Sequence, residues 1–136
     1  MTGNDIQHHA LRFAATLTQA ELSYPFGEDI PVFKVLNKMF LLTSTQQAQP
    51  FINLKVQPEH GDMLRDIYPS IHTGYHMNKR HWISIYAGEQ ITTELIKDLV
   101  ETSYELVVKT LTKAQKQQLQ IYSSISKLSL YSHIRQ

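Results

Sequence analysis

Phe51-Ile52-Asn53-Leu54-Lys55-Val56 alternates in polarity, and that alternation decides the fold. Side chains along a strand point to opposite faces with a period of two, so Ile52, Leu54 and Val56 share one face while Asn53 and Lys55 share the other. A strand that is apolar on one face belongs to a sheet covered on one side, the habit of antiparallel sheets. Upstream, residues 32–35 and 39–43 flank Leu36-Asn37 and predict a hairpin in which Asn37 tolerates positive φ. Residues 44–50 read as a polar connector. Downstream, residues 71–75 and 81–87 are two further extended segments.

Helices flank this run of strands. Ile6, Ala10, Phe13, Ala14 and Leu17 recur at three- and four-residue intervals and predict a helix capped by Asn4 or Asp5 and running towards Leu22. Tyr24-Pro25-Phe26-Gly27 redirects the chain. Pro58 suits the first turn of a short helix carrying Met63, Leu64 and Ile67, which Pro69 stops. Thr92 caps the most strongly patterned helix, with Ile91 and Ile96 as a hydrophobic staple and Leu95, Leu99, Val100, Leu106, Val107 and Leu111 on its core face. The resulting fold class is α+β: a two-layer sandwich in which N- and C-terminal helices pack on one face of an antiparallel sheet and the other face stays open to solvent.

The chain has 136 residues, 42% of them hydrophobic, which supplies a core large enough to fold as one domain without staples. It has no cysteine, which excludes a disulfide framework, a thiolate zinc site and a cysteine nucleophile, and which suits a reducing cytoplasm. Residues 1–8 lack the apolar core of a signal peptide, and no window approaches the ~18 apolar residues of a membrane span. A soluble cytoplasmic protein with no membrane association is the expectation. The domain is drawn over residues 1–118. Residues 119–136 form a Ser-rich extension in which Ile121, Ile125 and Leu128 have helical spacing and Leu128 with Leu130 has strand spacing. This terminus either frays or docks, on the domain, on a partner or on a second copy of the chain.

Formal charge is only +1, so no whole-molecule field draws the protein to a polyanion. From Ile71 onward, however, cations outnumber anions eight to five, leaving room for a local basic patch. Its centre is Gly74-Tyr75-His76-Met77-Asn78-Lys79-Arg80-His81-Trp82, which gathers cations, imidazoles and large rings in what reads as the turn of a second hairpin. Cations beside exposed π faces suit nucleic acid. Lys79 and Arg80 would neutralise phosphates, Lys34 and Lys55 would extend the track, and Asn53 or Asn78 would bond to base edges or backbone. Tyr75 and Trp82 would stack on bases, or else pack inward, Trp82 beside Ile83 and Ile85. His76 and His81 either satisfy nearby carbonyls or join the ligand. Binding of this kind is weak and salt-sensitive.

Other chemistry finds less support. His72, His76 and His81 are closely spaced, yet no Asp or Glu lies between Ser70 and Gly88 to complete a coordination sphere, so no metal is expected. Glu28 and Asp29 are adjacent and point apart in extended chain, and no Gly-x-Ser-x-Gly elbow or phosphate loop is present. Neither catalysis nor a cofactor is expected. The second functional class is a small-molecule, peptide or protein binding module in which Lys34, Lys55 and Arg80 on the open sheet face clamp a carboxylate or phosphate.

Tyr24-Pro25-Phe26-Gly27, Val32-Phe33-Lys34-Val35, Ile52-Asn53-Leu54-Lys55, the nine-residue motif and Ser103-Tyr104-Glu105-Leu106-Val107 together resemble the MmcQ/YjbR family of small bacterial proteins, over about residues 4–116. The resemblance implies a fold similar to the bacterial frataxin CyaY, and DNA binding through paired β-hairpin wings. Iron binding of the frataxin kind would call for a dense acidic ridge, and the first helix offers only Asp5 and Glu21. The Ser-rich extension lies outside the family pattern.

Overall fold

A computed structural model describes the backbone of residues 1–135 and the side-chain surroundings of residues 1–125. Helix α1 spans Gly3–Ala15, capped by Thr2 rather than by Asn4 or Asp5: the Thr2 hydroxyl accepts from the Asp5 amide, and the Asp5 carboxylate accepts from the Thr2 amide. Gly3 sits against Pro50, where a Cβ would lie 2.5 Å from the Pro50 carbonyl oxygen, so only glycine lets the helix approach this closely. The helix does not reach Leu22. It ends at Ala15, Gln19 turns the chain with φ of 57°, and Ala20–Ser23 becomes strand β1.

Strands β2 (Val32–Val35), β3 (Lys38–Gln46) and β4 (Gln49–Lys55) form two tight hairpins. In the first, Leu36 joins Asn37 at positive φ. In the second, Gln47 and Ala48 do the same, so the expected polar connector is instead paired strand with a two-residue turn. Helix α2 (Pro58–Ile67) buries Leu64 and leaves Met63 and Ile67 exposed; it carries the chain to β5 (Ile71–Thr73) at the far edge. Strand β6 (Trp82–Ile85) then returns between β4 and β5. The sheet order is β1-β2-β3-β4-β6-β5, antiparallel at every junction.

Helices α1 and α3 (Thr93–Lys109) cover one face. Ile6, Ala10 and Ala14 from α1 meet Leu41, Ile52, Leu54, Ile83 and Ile85 from the sheet and Ile96, Leu99, Val100 and Val107 from α3. Each large aliphatic fully buried here contributes ~1.5–3 kcal/mol of transfer free energy. Ser103, the one fully buried hydroxyl residue of α3, has a specific task. The β3–β4 ladder stops at Leu41 opposite Leu54. Ser103 Oγ inserts at the next position, accepting from the Lys55 amide at 2.8 Å and donating to the Phe40 carbonyl at 2.6 Å. Two buried backbone groups that would otherwise be orphaned are thereby satisfied.

The extension is helical. Helix α4 runs Lys113–Arg135, opened by reciprocal hydrogen bonds between Thr112 and Gln115. Leu119 is buried in the core, so the boundary drawn after Gln118 falls inside a helix that docks on the domain. Ile121, Tyr122 and Ile125 are exposed, and the side chains of Leu128 and Leu130 lie outside the described residues.

Candidate nucleic-acid interface

The nine-residue motif is the β5–β6 connection, as its turn residues predict, but it does not project freely. Gly74 donates to the Trp82 carbonyl at 2.8 Å, and a Cβ on Gly74 would lie 2.6 Å from that of Trp82, so the first pair of the connection requires glycine. Two turns follow. Met77 donates to the Gly74 carbonyl across a turn whose third residue, His76, has φ of 59°; His81 donates to the Asn78 carbonyl, and the Asn78 side chain accepts from the Arg80 amide. The connection thus folds back over the sheet face opposite the helices.

Its anchor is a buried polar triad. The Tyr75 amide donates to Ser84 Oγ at 2.8 Å, Ser84 donates to Asn53 Oδ1, and Asn53 Nδ2 donates to the Tyr75 carbonyl at 3.0 Å. Asn53 and Ser84 are partners across β4 and β6 and therefore share a face. Asn53, expected to look outward to solvent, is 1% exposed and holds the turn to the sheet, so it has no free group for DNA. Phe51, two residues earlier, is equally covered: the Tyr75 ring meets it edge-on at 5.7 Å and the Tyr86 ring lies 5.2 Å away. The face expected to be open is capped over β4 and β6, because a single Asn can satisfy a loop backbone that would otherwise need water.

At the outer end of the connection Asn78, Lys79, Arg80 and His81 are exposed, as is His76 nearer the anchor. The one ion pair among the described residues is Arg65 with Asp62, so neither Lys79 nor Arg80 is neutralised by a carboxylate contact. Trp82 and Tyr75 are half-buried, between the two expected extremes. Lys55, the ladder partner of Trp82, lines with it, Asn78 and His81 a hollow of about 530 Å³. Lys34 does not join them. It sits on β2, with β3 and β4 between it and β6, in register with Glu21 of β1.

Beside the turn runs a groove of about 1000 Å³ that was not legible in the sequence. The β3–β4 hairpin end supplies Gln46 and Gln49, β5 supplies His72, the motif supplies Tyr75, His76 and Lys79, and Tyr86 to Gln90 close the far side. Its rings form a connected set: His72 meets Tyr86 edge-on at 5.4 Å, and Tyr75 lies 4.1 Å from His76. Tyr86 donates to Gln46 Oε1 at 2.7 Å. Burial, and after it the nearby Tyr75 phenol, raises the Tyr86 phenol above its ordinary 10.0, against a smaller opposing effect of Ser84, so it is a neutral donor at physiological pH. Among the described residues, His72, His76 and His81 gather no carboxylate or further imidazole into a metal-ligating group.

Comparison with known proteins gives a consistent identity. The YjbR family model matches residues 15–106. The uncharacterized protein YbdF of Escherichia coli O157:H7 is 44% identical over 119 residues, covering 88% of this chain and 98% of that protein. The uncharacterized protein YjbR of Escherichia coli K12 is 28% identical over 86 residues, covering 63% of this chain and 73% of its own. A crystal structure of a Deinococcus radiodurans protein with the DUF419 domain superposes with a TM-score of 0.73 at 36% identity, covering 87% of each chain. A crystal structure of a Pseudomonas syringae protein gives 0.65 at 27% identity, covering 74% of this chain and 97% of that one. With its α+β architecture, its six-stranded antiparallel sheet and these matches, the chain belongs to the YjbR family.

Proposed function

We propose that this protein is a non-enzymatic, cytoplasmic DNA-binding protein that meets phosphates through the β5–β6 turn. The observation that carries the reading is the state of Lys79 and Arg80: both are exposed, without a carboxylate partner among the described residues, on a turn whose base is pinned to the sheet by Asn53 and Ser84. A flexible loop would lose entropy on binding, whereas an anchored one presents its cations already placed. Between Asp66 and Glu89 the chain carries no carboxylate at all. His76, Asn78 and His81 add donors around the two cations, and Lys55 lies on the Trp82 side, so the cationic surface is short and local, in keeping with weak, salt-dependent association.

Replacing both cations tests it. Lys79→Ala with Arg80→Ala is expected to weaken binding to duplexes of any sequence and to flatten the dependence of log K on log salt by ~2. Unchanged affinity and slope would remove this turn from phosphate contact. The groove beside the turn supports the second reading, a small-molecule or peptide binding module. That reading expects saturable changes in groove amide signals with small anions or metabolites and indifference to DNA.

A further inference from the structure

The groove contains more than phosphate recognition needs. We infer that it is a seat for one unpaired nucleobase whose phosphate reaches Lys79, an inference that rests on the nucleic-acid reading above and specifies single-stranded over duplex DNA. A base offers two π faces and a polar edge, and the groove offers the complement of each. Tyr75 and Tyr86 line the groove half-covered, each backed by the buried Phe51 ring beneath, and His72 and His76 stand exposed against them. Successive ring contacts of this kind accept any base, because every base has a π face.

The edge of a base would meet amides. Gln46 already accepts from the Tyr86 hydroxyl through its oxygen, which leaves its NH2 group as a donor directed by that bond. Gln49 and Gln90 line the same groove and can each donate and accept. Lys79 is the cation bordering it, and Glu89 disfavours phosphate at the opposite end while accepting from an exocyclic amine, which gives the site a direction. The volume, about 1000 Å³, stands at the upper end of ordinary ligand sites and leaves room for a nucleotide with part of its neighbour. A paired base within a duplex has its faces and edge occupied and cannot enter without being unstacked.

His76 makes the test clean. Its φ of 59° is a conformation glycine adopts without strain, so His76→Gly removes a ring from the groove while leaving the turn at least as well formed. Binding would be followed by fluorescence anisotropy at ~0.1 M salt, using an oligothymidylate of roughly twelve nucleotides, an abasic strand of the same length and charge, and a blunt duplex. The oligothymidylate is expected to bind roughly tenfold more tightly than the abasic strand, and His72→Ala with His76→Gly to erase most of that difference. Equal affinity for all three, lost together in Lys79→Ala with Arg80→Ala, would overturn the base seat and leave the DNA reading standing. Thymidine monophosphate, titrated against groove amide signals, separates the two sources of a base: saturation by the free nucleotide without binding of any strand would keep the seat and overturn the DNA reading. No response to any of these ligands would overturn both.

Discussion

Asn53→Ala should loosen the basic turn from the sheet, at a cost that can be worked from three hydrogen bonds. The substitution deletes the bond from Nδ2 to the Tyr75 carbonyl and the bond from Ser84 to Oδ1. Ser84 can rotate its hydroxyl and still accept from the Tyr75 amide, but the Tyr75 carbonyl is left facing a site that is 1% exposed in the native protein. A net ~1 kcal/mol for each lost bond, with ~1–3 kcal/mol where a buried group is left unpaired, gives about 2–4 kcal/mol. At an m-value of ~2 kcal/mol/M that is a fall in the urea midpoint of roughly 1–2 M. Amide exchange at residues 75–81 should accelerate more than exchange in β3, because the loss is concentrated at the anchor. Asn53→Asp adds a sign. The buried carboxyl, with the Tyr75 carbonyl opposite one oxygen, is neutral-favouring, so its folded pKa rises above the unfolded value; stability is retained below ~4 and is lost as pH climbs through the folded pKa. A midpoint shift under ~0.3 M for Asn53→Ala, or uniform acceleration of exchange, would refute the anchor.

Two further outcomes follow from the fold. Gln47→Asn with Ala48→Gly, which places the preferred pair in a turn where both residues have positive φ, should stabilise by ~1 kcal/mol and raise the thermal midpoint by ~4 °C; an unchanged midpoint would mean that the turn is not strained. Tyr104 donates to the Thr18 carbonyl at 2.7 Å, and burial raises its phenol above 10.0 despite that bond, so its stabilisation is complete below pH 10 and lost as pH rises through the folded value. Tyr104→Phe should cost ~1 kcal/mol at neutral pH in chemical denaturation and show a shallower decline above pH 10, whereas an identical alkaline decline would exclude this phenol as its source.

What could be seen in the sequence depended on whether a signal was contiguous. The period of 3.6 in α3 and the alternation in β4 are local, and both elements formed where those patterns place them. Strand β1 was hidden because Leu17 continues the apolar stripe of α1, and four residues of strand cannot outweigh it before their pairing with β2 is known. The β3–β4 turn was hidden because Gln47-Ala48 carries none of the residues that favour positive φ. The same distinction governs the site. Lys79 and Arg80 stand out because their neighbours in sequence are also their neighbours in space. The groove brings together Gln46, His72, Tyr86 and Gln90 from three separated segments, and no spacing rule joins them.

Asn53 marks the boundary between these two kinds of legibility. Alternation correctly assigns it to the face away from the helices, but face and exposure are different properties, and an Asn can replace water by bonding to a returning loop. A lysine in that place would have had to reach solvent. An amide with both a donor and an acceptor can serve the Tyr75 carbonyl and the Ser84 hydroxyl together. On the DNA-binding reading proposed above, the residue expected to touch the ligand acts one step behind it, and the cations it holds in place should lose their rigid presentation when it is removed even though they remain in the sequence. DNA affinity in Asn53→Ala should accordingly fall while the salt slope, which counts phosphate contacts, stays within ~0.5 of the unmodified protein. A slope that falls with the affinity would instead assign Asn53 to fixing the number of contacts made.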